Sequence, residues 1–135
     1  MNSVGWGRLL AFVGLTSLVL GVSPAQANDE NENRFRALVQ EAVKAREAGD
    51  MERTAVMLRQ AIELNPVPEM LNNLGRVYED LGRYADAVEV YQKVVDDETA
   101  TAVLRRLDAT RIELLAGRLE QAWLAIESKA PDMRV

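Results

Sequence analysis

The stretch from Pro68 to Thr99, PEMLNNLGRVYEDLGRYADAVEVYQKVVDDET, constrains the fold of this chain more than any other. Its first half has helical period from Glu69 to Leu81, with Pro68 just inside the start, where a missing N–H costs nothing. Leu71, Leu74, Gly75 and Tyr78 then share one face. The second half, from about Tyr84 to Asp96, repeats the period with Ala87, Val88, Tyr91, Val94 and Val95. Gly82 can take the left-handed conformation that closes a helix, and so short a link makes the two helices fold back antiparallel. Gly75 and Ala87 lack bulk, which predicts a close approach of the two backbones with Tyr78 and Tyr91 filling the remaining space.

Leu74-Gly75, Tyr78, Gly82, Ala87 and Tyr91 together resemble the pattern of the tetratricopeptide repeat. Leu71 stands where that family usually has Trp, Val94 where it has Ala, and Thr99 where it has Pro. The resemblance implies an all-α, tetratricopeptide-like solenoid. One hairpin cannot bury its apolar face alone, so neighbours are expected at a period near 34 residues. Gly49 lies 33 residues before Gly82, and Gly117 lies 35 residues after it. From Gly49 the spacings lead to Thr54, Leu58, Ala61 and Pro66, and from Gly117 to Ala122 and Ile126. Three antiparallel hairpins are therefore expected, over residues 35–66, 68–99 and 100–131, followed by a tail at 132–135. Both outer copies are degenerate: Ala42 and Ala45 replace the Leu-Gly-Tyr signature in the first, and Thr110 and Glu113 stand there in the third.

Residues 1–27 are of another kind. Arg8 is their only charged side chain, the run Leu9 to Val22 is apolar, and Ser23-Pro24-Ala25-Gln26-Ala27 follows. This is the layout of a secretory signal peptide, with cleavage expected after Ala27. As a helix the apolar run spans about 21 Å, short of the roughly 30 Å bilayer core, which disfavours the alternative of a retained membrane anchor. Export to the periplasm is the expected destination, with release to the medium as the alternative. Residues 28–34, NDENENR, are polar and acidic and are expected to form a solvated stalk rather than a calcium loop.

The whole chain carries a net charge of −5, and loss of Arg8 with the leader makes it −6. That balance argues against nucleic acid or an anionic membrane as partner. There is no histidine and no cysteine, and Ser128 is the one serine after the leader. Serine and cysteine nucleophiles paired with an imidazole base, and zinc sites built on imidazole or thiolate, are thereby excluded. No catalytic residue, metal ligand or cofactor is expected, and the chain reads as a non-enzymatic interaction module.

In the resembling family the leading helix of each hairpin lines a concave wall that holds peptides. On the central leading helix Asn72, Asn73, Arg76 and Glu79 lie away from Leu71, Leu74 and Tyr78, and are expected to meet a partner. Arg105 and Arg106, with Arg111, would extend a cationic strip on the third leading helix. The chain ends without a further polar helix, and Leu119, Ala122, Trp123 and Ile126 form the apolar stripe of the last one. Trp123 is expected either to pack on its own hairpin partner or to dock on another chain. The expected function is thus a protein or peptide scaffold of the cell envelope, the alternative being a homodimer formed through the last helix.

Overall fold

The computed structural model describes residues 24–129. The leader up to Ser23 and the tail at 132–135 lie outside them, as do Ala130 and Pro131. Five α-helices follow one another: α1 (Pro24–Glu47), α2 (Met51–Leu64), α3 (Pro68–Asp80), α4 (Tyr84–Asp96) and α5 (Ala102–Lys129). Each packs on the next, so that α1 with α2 and α3 with α4 form two antiparallel hairpins and α5 lies against α4.

Both hairpin turns are built by a glycine in the left-handed region, Gly49 at φ 78° and Gly82 at φ 70°. Asp50 N–H donates to Ala45 O (2.9 Å) and Gly49 N–H to Arg46 O (3.0 Å); Arg83 N–H donates to Tyr78 O (2.8 Å) and Gly82 N–H to Glu79 O (2.9 Å). This paired bonding satisfies the last carbonyls of α1 and α3 and needs a residue free of Cβ strain at the turn. Asp50 then caps α2, its carboxylate accepting from Arg53 N–H at 2.9 Å. Between α4 and α5 the Asp97 carboxylate accepts from the Thr99 hydroxyl (2.7 Å) and the Thr99 N–H (2.8 Å). Those bonds, the hydroxyl first, hold the Asp97 carboxyl below its ordinary pKa. An aspartate turn thus closes the repeat where the family pattern has proline.

The core runs through the hairpins as Ala42, Ala55, Leu58, Leu74, Val77, Tyr78, Ala87, Tyr91 and Val94, all buried. The closest approach differs in one detail from the pairing of Gly75 with Ala87. A Cβ placed on Gly75 would lie 2.7 Å from Tyr91 Cζ, so the glycine makes room for the aromatic ring. Tyr78 and Tyr91 both face inward, at 5% and 0% exposure.

Two expectations are corrected. Residues 28–34 are solvated but are not a stalk separate from the fold: they are part of α1, which is already helical at Pro24. Arg36 bridges to Glu32 one turn back, and Phe35 stands beside Leu64 and Asn65 at the far end of α2, so helix is propagated from an anchored segment back through residues of weak intrinsic propensity. The third hairpin is absent: α5 runs unbroken through Gly117 to Lys129. Gly117 sits between Leu114-Leu115-Ala116 and Arg118-Leu119-Glu120, strong helix formers with no capping Asp or Asn. Moreover, the positions matching Leu71, Gly75 and Tyr78 are Arg106, Thr110 and Glu113, so folding back at Gly117 would bury polar groups.

Candidate functional site: the groove between α1 and α3

α3 is the central element, and its side chains divide into three sets. Leu71, Leu74, Val77 and Tyr78 enter the core. Asn72 and Glu79, 7 residues apart on one side, turn toward α5. Asn72 Nδ2 donates to Asp108 Oδ1 at 2.6 Å, in a contact with both residues buried. Glu79 Oε1 accepts from the Tyr91 hydroxyl at 2.5 Å and from Arg111 Nη1 at 2.8 Å, and the Arg111 guanidinium stands 5.8 Å from the Tyr91 ring centroid. These bonds tie α3, α4 and α5 together.

Their environment shifts three titrations. Burial, then the hydrogen bond and charge of Glu79, push the Tyr91 phenol far above its ordinary range. Burial works to lower Arg111, but the bond to Glu79 and the surrounding charges of Tyr91, Glu79 and Asp108 together outweigh it and raise its pKa. Asp108 is pushed up by burial, against the opposing pull of Asn72 and Arg111. Its Oδ2 has no protein hydrogen-bond partner among the described residues, nor do Arg105 Nε and Arg111 Nε.

Asn72 and Glu79 are therefore not available to a partner as expected; both are used in holding α5. Arg105 is half-buried, while Arg106, about 100° farther round α5, is exposed, so the two do not present one cationic strip. Asn73 is half-buried and lines a groove, and Arg76 on the same helix is exposed to solvent. Trp123 does not pack on a hairpin partner, because there is none; it is 67% exposed on the projecting end of α5.

The groove runs between α1 and α3. Its walls are Val39, Val43 and Arg46 from α1 and Met70 and Asn73 from α3, with Thr54 and Leu58 of α2 beneath. Val43 is 51% exposed and is the one strongly exposed large apolar residue described outside α5. Sequence reasoning named Asn73 here but assigned neither Val43 nor Met70 to a site. The available signal was that Phe35, Leu38, Val39, Ala42, Val43 and Ala45 make a stripe wider than α2 alone can cover. Arg46 and Asn73 supply donors at the rim, so the groove can take an apolar side chain while bonding a carbonyl or carboxylate beside it.

Among the described residues no helix is long and apolar enough to cross a membrane, and no group of carboxylates is arranged to hold a metal ion. Residues 68–96 match the family model described as tetratricopeptide repeat. The match spans α3 and α4, the hairpin with the close glycine contact, which is thus similar to a tetratricopeptide repeat. No curated protein matches the chain. Repeats of this kind generally mediate protein–protein interaction and are typically not catalytic.

Proposed function

We propose that this chain is a non-enzymatic scaffold of the cell envelope that holds a peptide or protein segment in the groove between α1 and α3. The observation that carries the proposal is Val43, a half-exposed valine beside Val39 and Met70 and rimmed by Arg46 and Asn73. An apolar anchor from a partner would cover that side chain together with its neighbours Val39 and Met70. Arg76, exposed on the same side of α3 as Asn73, offers a carboxylate contact farther along. The partner that fits is an acidic segment with one apolar anchor, bound by a few residues rather than by a deep cavity.

Export rests on the leader alone, Arg8 followed by the apolar run to Val22 and the Ala25-Gln26-Ala27 site. The periplasm is the destination it favours. The mature chain then begins at Asn28, four residues into the described α1, and intact-mass measurement of the protein recovered from cells tests this directly.

Affinity capture from envelope extracts tests the groove. Wild-type chain retains a defined set of proteins; Val43→Glu loses them, Arg76→Ala weakens them, and Trp123→Ala keeps them. Retention of the same set by Val43→Glu removes the groove as the docking surface.

A further inference from the structure

Every strongly exposed large apolar residue described outside the groove lies on α5. Apart from Leu124, they fall on two sides of it. Val103 (80% exposed), Leu107 (45%) and Leu114 (65%) join Thr110 in a stripe at spacings of four, three and four residues. Leu119, Trp123 and Ile126 lie roughly 150° away at about 100° per residue. The first stripe borders a shallow apolar depression lined by Ala102, Val103, Arg106, Leu107 and Thr110. It sits roughly 110° from the face that packs on α3 and α4 through Leu104, Asp108, Ile112 and Leu115.

We propose that this stripe is the two-fold interface of a homodimer, packing antiparallel against the same stripe of a second copy. The four positions alternate as the core positions of a heptad, so antiparallel layers set Leu107 against Thr110 of the second copy and Val103 against Leu114. A two-fold interface has to be complementary to itself, and the flanking charges meet that demand. In this register Arg106 faces Glu113 of the second copy, and the symmetry makes the pair twice. Parallel pairing would instead leave the Arg106–Glu113 pair unmade, because it sets Arg106 beside position 111, where Arg111 is already bonded to Glu79. Both Arg106 and Glu113 are exposed, and among the described residues their side chains make no hydrogen bond or ion pair. The charge pattern thus selects a second copy, and one orientation of it, over an unrelated helix. The bundles of the two copies lie on outer sides of the paired helices, so the array continues through the interface rather than ending at α5.

The test is the mass in solution of the chain as purified from cells, measured by sedimentation equilibrium with a concentration series. Wild type sediments as a dimer. Arg106→Glu and Glu113→Arg each weaken association by about tenfold or more, and the double reversal R106E/E113R restores it. Leu107→Glu gives monomer with unchanged helical circular dichroism, while Trp123→Ala and Val43→Glu leave the mass unaltered. A wild-type monomer at micromolar concentration overturns the proposal, as does a dimer indifferent to the single reversals, a double reversal that fails to restore, or loss of the dimer in Trp123→Ala alone. The Val43→Glu arm keeps failure here separate from failure of the groove.

Discussion

At single residues the account turns on what a buried polar group has for company. Asp108 is fully buried, with one carboxylate oxygen bonded to Asn72 and the other without a hydrogen-bond partner among the described residues. Burial raises its folded pKa above the unfolded one, so the native state binds the extra proton and stability attributable to this group falls as pH rises between those two values. Asp108→Asn removes that dependence. In urea titrations from about pH 4 to pH 7 the variant gains stability relative to wild type as pH increases; a constant difference across the window contradicts the assignment. Two glycines offer a second comparison. Gly75→Ala drives a methyl into the Tyr91 ring and is expected to cost about 1–3 kcal/mol despite a better helix propensity. Gly117→Ala meets nothing within 4 Å and should instead stabilise α5 by up to about 1 kcal/mol. Thermal or urea unfolding of the two variants, moving in opposite directions, checks both.

Helices α3 and α4 were legible in the sequence because each signal there has a local cause. Pro68 at the start, left-handed Gly82 at the turn and the apolar period between them all act within a few residues, and the structure follows them closely. The two misjudged elements depend on context instead. Residues 28–34 look like a stalk when read alone, yet they continue a helix already held by Phe35 against α2. Gly117 looks like a third hinge by spacing, but a hinge also needs two apolar faces to bring together, and Arg106 and Glu113 stand where Leu71 and Tyr78 provide them. The same limit applies to the site: Asn72 and Glu79 are as polar in sequence as Asn73 and Arg76, and only the presence of α5 withdraws the first pair from solvent. It follows that the second half of α5 contributes little to folding. Truncation after Arg118 should change stability by less than about 1 kcal/mol, whereas Leu115→Ala, at a buried site, should cost about 2–5 kcal/mol. Hydrogen exchange over residues 119–129 that is as slow as over α3 would contradict this division.

Over the described residues, two hairpins are bolted to a long helix by a buried polar cluster, leaving the groove between α1 and α3 and apolar side chains on more than one side of α5 uncovered. Rigidity comes from Tyr91 and Gly75 within the central hairpin and from Asp108 and Arg111 across to α5, so α3 is held in place while its face toward α1 stays open. Such an arrangement suits recognition by a preformed surface, because little conformational entropy is lost in the wall when a partner docks. Binding should therefore depend on Val43 and on residues around it, and should survive changes at Asn72-equivalent contacts only when α5 remains packed. The most direct measurement is site-specific photo-crosslinking in living cells, with the photoreactive side chain placed at position 43 and, as a control, at position 120 on the exposed end of α5. Covalent adducts of defined mass from position 43, and none of the same mass from position 120, are the predicted result; adducts absent at 43, or identical at both positions, would contradict the groove as the working surface of this chain.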